Sequence, residues 1–131
     1  MPLIFQHRIY RSDLQKNPDV LYIFGDNLKR VGYGGQAAHM RDEPNAVGIA
    51  TKKSPGMSDS DFFSDNELKD NIASINKDFE RVVKHIQMGG IVVFPSDGIG
   101  TGLSELPKRA PMTARFIDGC VNVLKNYKDR L

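Results

Sequence analysis

Seven of the twelve glycines fall in two short segments: Gly25, Gly32, Gly34 and Gly35 in FGDNLKRVGYGG, and Gly98, Gly100 and Gly102 in PSDGIGTGLSELP. Glycine lets backbone N–H groups converge on an anion without interference from a Cβ, and a helix starting just after such a loop adds partial positive charge. Two such loops facing one crevice suit a diphosphate; the alternative is a pair of tight turns. Neither segment fits a familiar nucleotide fingerprint. G-x-x-x-x-G-K-[ST] does not occur, and the first segment lacks the G-x-G-x-x-G spacing, so ordinary kinases, GTPases and dehydrogenases drop out. Metal chemistry has little support: Cys120 is the single cysteine, His7, His39 and His85 are scattered, and Asp59, Asp61 and Asp65 lack EF-hand spacing.

The elements that must position these loops are legible from hydrophobic periodicity. Val20 to Phe24 is apolar throughout, as suits a central strand covered on both faces; Ala46 to Thr51 and Ile91 to Phe94 read the same way, and Phe5 to Tyr10 is a weaker first strand. Leu68, Ile72, Ile75, Phe79, Val82, Val83 and Ile86 recur mostly at spacings of three and four and predict a long helix. Ser64 with Glu67 forms a capping box at its start, and Gly89 and Gly90 stop it. A second helix is expected from about Pro111 to Tyr127, with Gly119 inside it marking a close approach. A short helix from Gln36 to Arg41 follows the first glycine segment, and Ser54 to Asn66 reads as a mobile surface loop. Strands alternating with helices predict an α/β fold of three α/β/α layers on a mostly parallel central sheet. In such folds ligands sit beyond the carboxyl ends of the strands, where both glycine segments lie.

Composition sets the outer limits. The 131 residues, 40% hydrophobic and 26% charged, predict a single soluble domain over 1–131 that holds a core without disulfides. The longest apolar runs hold about five residues against the roughly 20 of a membrane span, and MPLIFQHRIY has no leader character, which predicts a cytoplasmic protein without a membrane partner. With 18 basic and 16 acidic residues the chain is not marked as a nucleic-acid binder, and Lys29, Arg30 and Arg41 are weak support for one.

The order of motifs resembles a macrodomain, the ADP-ribose-binding module, over nearly the whole chain. RIYRSDLQKNPDVLYIFGDNLKRVGYGGQA looks like the opening of that family. The resemblance implies that Asp13 accepts a hydrogen bond from the adenine amino group and that Asn27 contacts the distal ribose. It further implies that Gly25 and Asp26 belong to the ligand-binding site, that the loop Gly32, Gly34 and Gly35 stands beside the distal ribose and phosphate, and that Gly98, Ile99, Gly100, Thr101, Gly102, Leu103 and Ser104 wrap the diphosphate.

GIATKKSP and IGTGL are similar to segments of the macrodomain group that contains the terminal ADP-ribose glycohydrolase and the DNA ADP-ribosyl glycohydrolase antitoxins. Lys52 then falls on that group's catalytic lysine, and attack by its amine on an anomeric carbon requires the neutral form, favoured by desolvation or by nearby cations such as Lys53, Arg30 or Arg41. The plainer reading makes Lys52 and Lys53 solvated residues after a strand.

The chain departs from the group where the catalytic aspartate should follow I-G-x-G-L, because Ser104 stands there, with Glu105 next to it. A serine does not replace a carboxylate in acid/base work, so Glu105 or Asp97 would have to serve. Gln36 and Ala37 occupy the region where another macrodomain type has its aspartate; His39 and Asp42 are nearby. The resemblance thus implies a protein that binds ADP-ribose or an ADP-ribosylated macromolecule without a cofactor. As an enzyme it hydrolyses an ADP-ribosyl linkage on protein or on nucleic acid, the latter only as modified substrate. The alternatives are a non-catalytic reader or sequestering protein and a phosphatase of ADP-ribose phosphates.

Overall fold

Four parallel strands make the sheet of the computed structural model, which describes residues 2–127. They are β1 (Leu3–Gln6), β2 (Leu21–Asn27), β3 (Ala46–Lys52) and β4 (Val92–Pro95), in the spatial order β1-β4-β2-β3. The helices are α1 (Arg11–Lys16), α2 (Ala37–Met40), α3 (Leu68–Gln87), α4 (Leu106–Arg109) and α5 (Pro111–Lys125). The period of two along each strand divides the side chains between two cores. Leu21, Ile23, Ile49, Val92 and Phe94 pack with Ile75, Phe79, Val82 and Ile86 of α3 and Ile117 and Leu124 of α5. Tyr22, Phe24 and Val93 point the other way, onto Leu14 of α1 and Ala37 and Met40 of α2. The result is the α/β/α layering expected, and the apolar runs are continuous because both faces of β2 and β4 are covered.

Several boundaries differ from the sequence reading. The first strand is Leu3–Gln6, and residues 7–10 lead into α1, a helix too short for its periodicity to show. The long helix begins after a 3-10 turn, Asp65–Glu67; Ser64 Oγ accepts from the Asn66 N–H at 3.2 Å, whereas Glu67 pairs with Lys53 instead of closing a capping box. Gly89, at φ +85°, ends α3 in the left-handed conformation that glycine favours. Asp65 caps α5, accepting from the N–H groups of Met112 (2.9 Å) and Thr113 (3.1 Å) and from the Thr113 hydroxyl (2.9 Å).

Two expectations are overturned. Among the described residues a Cβ on Gly119 would meet nothing within 4 Å, so none of their elements approaches there. Ser54 to Asn66 is not a plain surface loop: Phe62 and Phe63 are buried, and Phe62 bridges Lys52 in antiparallel fashion. The two aromatic side chains draw the polar segment onto the sheet because burying them outweighs the preference of its serines and aspartates for water. Among the described residues no helix is long and apolar enough to cross a membrane.

Candidate functional site

The carboxyl ends of β2 and β3 supply the polar groups of the site. The two strands run in register from Tyr22↔Ala46 to Asp26↔Ala50, then shift so that Asn27 pairs with Lys52. Thr51 is the extra residue; its hydroxyl lies 3.3 Å from the Asp26 carbonyl and 2.7 Å from Ser104 Oγ. The irregularity brings Asn27 and Lys52 side by side where the sheet ends, and places Ser104 of the second glycine segment against them.

Asp26 is buried in the layer of α2, where an isolated carboxylate would be costly. Arg41, just after α2, pairs with both of its oxygens, and Arg30 Nη1 stands 3.7 Å away. The same Arg41 guanidinium donates to the carbonyls of Gly32 (2.6 Å) and Val31 (3.3 Å) and lies over the Phe24 ring. One arginine therefore holds the first glycine loop onto the end of β2. Gly48 makes room for this pair, since a Cβ there would sit 2.8 Å from Asp26 Cβ.

Gln36 ties the two glycine segments together, accepting from the Gly25 N–H at 2.8 Å and donating to the Gly98 carbonyl at 3.0 Å. The segments also touch at Gly25 and Gly100 and at Gly34 and Leu103. A cavity of about 160 Å³ opens between them, lined by Gly25, Asp26, Asn27, Val31, Gly32, Tyr33, Gly34, Ala37, Arg41, Lys52, Pro55, Leu103 and Ser104. Across residues 34–37 lies a second, of about 450 Å³, walled by His7, Arg8, Ile9, Tyr10, Gly35, Gln36, His39, Met40, Pro95 and Asp97.

Asn27, one of the residues that line the smaller cavity, has one unmet need. Its Nδ2 donates to the Val31 carbonyl at 2.8 Å, an acceptor that fixes the orientation of the amide. The Oδ1 is buried without a partner. Lys52 is buried too: its Nζ donates to the carbonyls of Pro55 (3.4 Å) and Gly56, touches Met57 Sδ at 3.5 Å, and lies 4.5 Å from the centre of the Phe62 ring. Carbonyl oxygens and an aromatic face are the partners that receive a cation. The expected cationic neighbours are engaged elsewhere, Arg30 with Asp78, Lys53 with Glu67 and Arg41 with Asp26.

Of the residues singled out in the sequence, Gly25, Asp26, Asn27, Gly32, Gly34, Lys52, Leu103 and Ser104 meet at the small cavity, and Gly35 and Asp97 line the larger one. The remaining residues of the expected site, Asp13, Gly98, Ile99, Gly100, Thr101, Gly102 and Glu105, do not line either cavity. Asp13 lies in the first turn of α1, accepting from the Tyr10 N–H at 2.8 Å and from Gln6 Nε2 at 3.2 Å. Ile99 is part of the core beneath the loop, because the left-handed Gly98 and Gly100 on either side turn its side chain inward. Gly98, Gly100, Thr101 and Gly102 shape the second loop, with Thr101 Oγ1 bonded to the Asp97 carbonyl at 3.0 Å. Glu105 reaches Arg109 at 3.3 Å, outside the cavity.

Sequence reasoning took Arg41 only as a cation near Lys52 and Gln36 only as the occupant of another type's aspartate region, and it passed over Val31 and Tyr33, whose only signal was their place between the glycines. Tyr33 stands exposed at the rim; its hydroxyl donates to Asp42, and that bond together with the Asp42 charge raises the phenol pKa above its ordinary value. His7 and Tyr10 gave no pattern, and His39 only its nearness to the first glycine loop, since the larger cavity assembles them from separate elements.

A comparison with curated proteins finds no match, and one with solved structures finds none either. Residues 4–119 match the model of a family of unknown function, DUF7831, and the chain belongs to that family.

Proposed function

We propose that the protein binds ADP-ribose or an ADP-ribosyl group, with the distal ribose in the small cavity between Asn27 and Lys52 and the remainder running along Gly32–Gly35 toward the larger cavity. The observation that carries this reading is the unpartnered, buried Oδ1 of Asn27. A buried acceptor without a donor costs about 1–3 kcal/mol, which a ligand hydroxyl recovers and a fully ionised phosphate does not. The volumes fit the division: about 160 Å³ takes a sugar, and about 450 Å³ takes a nucleoside-sized group.

As an enzyme it would hydrolyse the ADP-ribosyl linkage. The hydroxyl of a water molecule adds to the anomeric carbon, the bond to the attached group breaks, and that group leaves with the water's proton, Lys52 stabilising the negative charge that develops on the departing atom. A non-catalytic reader is the second reading. It is favoured by the commitments of the nearby carboxylates: Asp26 is paired with Arg41 and Glu105 with Arg109, while Asp97 lies on the other cavity.

Calorimetry with ADP-ribose, against ADP and NAD, tests the binding, and absence of any heat with ADP-ribose refutes it. Asn27→Ala is expected to weaken binding by about 1–3 kcal/mol. Lys52→Ala is expected to leave binding within about tenfold, roughly 1.4 kcal/mol, and to abolish release of ADP-ribose from modified substrates. Stoichiometric binding without turnover by the native protein selects the reader.

A further inference from the structure

The two edges of the sheet are treated differently. At β3 the outward backbone groups are occupied by side chains: Ala50 N–H donates to Asp78 at 2.8 Å, Gly48 O accepts from Arg30 at 3.1 Å, and Ala46 O accepts from Arg81 at 3.4 Å. Arg81 also donates to the Pro44 carbonyl, just before the strand, at 2.7 Å. Among the described residues no side chain bonds the outward backbone groups of β1, and the charged side chain near it is Lys125, whose Nζ lies 6.0 Å from the centre of the Phe5 ring. The Pro2 carbonyl accepts from the Val92 N–H at 2.8 Å and the Gln6 carbonyl from Ser96 N–H at 3.0 Å, so the even-numbered residues turn their backbone groups to β4. In a parallel ladder the alternate residues, Leu3 and Phe5, turn theirs outward, and among the described residues none bonds to them. β1 itself, LIFQ, carries no charge, proline or bulge, the usual devices that discourage edge pairing. Ile4 and Phe5 are 46% and 43% exposed, and the adjoining Ile91 is 40% exposed.

We propose that β1 is a self-association edge, pairing antiparallel with β1 of a second copy about a two-fold axis at Ile4. In that register Leu3 stands opposite Phe5 of the second copy and Phe5 opposite its Leu3. Each such pair exchanges two N–H···O bonds, so every outward group of both residues is satisfied. The two Ile4 side chains meet across the axis, where like residues without charge are compatible. The blocked outer edge of β3 ends the assembly at two chains, with one continuous eight-stranded sheet. Pairing over so short a strand buries less than the roughly 1,200–2,000 Å² of a standard stable interface, so association is concentration-dependent.

The test is sedimentation or light scattering on the 131-residue chain from low micromolar to near-millimolar concentration, with no ligand present. The mass is expected to rise from 14.6 kDa toward twice that value. Phe5→Pro removes only an outward N–H and leaves the bonds to β4, and Phe5→Lys keeps every N–H but sets a charge on the edge. Both are expected to remain monomeric with native circular dichroism. A native chain that stays monomeric throughout, an assembly that grows beyond two chains, or association that survives both substitutions overturns the proposal.

Discussion

Arg41 carries more of the site than any other single side chain, because four acceptors converge on it, both Asp26 oxygens and the carbonyls of Val31 and Gly32. Removing it leaves the Asp26 carboxylate buried with one backbone donor, the Asn27 N–H at 2.8 Å, and Arg30 at 3.7 Å as the remaining cation. Arg41→Ala is therefore expected to lower stability by about 3–5 kcal/mol in chemical denaturation. Arg41→Lys keeps the charge but not the planar fork that bridges Asp26 and the Gly32 carbonyl, and is expected to recover only part of the loss. Full stability in Arg41→Ala would mean that Asp26 finds water or another partner. The same logic distinguishes Asn27 from its neighbours: its Oδ1 is the one buried side-chain acceptor among the described residues that has no donor.

At the level of elements, the stretch between β3 and α3 links distant parts of the chain. Phe62 lies under Lys52 and also receives the Arg109 guanidinium 3.6 Å from its ring centre, and Asp65 caps α5. Partial burial opposes ionisation of Asp65, but the N–H groups of Met112 and Thr113 and the Thr113 hydroxyl outweigh it, and its pKa lies below the ordinary carboxylate value. A lowered folded pKa stabilises the native state above the unfolded value of about 3.9, and that contribution is lost as pH falls through the folded value. Asp65→Asn is expected to cost about 1 kcal/mol at neutral pH, and the gap between native and variant should close in strong acid. Thermal melts across that range provide the comparison; a gap independent of pH would remove the charge from the explanation.

For the molecule as a whole, the sheet joins the two cores, so both faces should unfold together. Ile75→Ala strips α3 of a fully buried side chain, and Met40→Ala does the same for α2 on the opposite face. Each is expected to cost about 2–5 kcal/mol and to move one calorimetric transition downward without splitting it. Two separate transitions in either variant would show that the layers are energetically independent.

Much of this architecture is legible in one dimension. The apolar run from Val20 to Phe24, the spacing of Ile75, Phe79, Val82 and Ile86, and the two glycine segments follow from periodicity and backbone chemistry, which are local, so the layers and the end of the sheet that carries the loops could be read directly. The partners were not legible. Arg41 meets Asp26, Gln36 meets Gly98 and Asp65 meets Thr113 across 15, 62 and 48 residues, contacts that no spacing rule connects. The outward turn of Glu105 and the inward turn of Ile99 depend on left-handed backbone at Glu105, Gly98 and Gly100, set by how the second loop packs on Thr51 and Leu106. Local sequence chose the elements because helices and strands are stabilised within and between short segments. The cavity arose from their packing, where burial forces each charge and amide to find its partner wherever the fold has brought one.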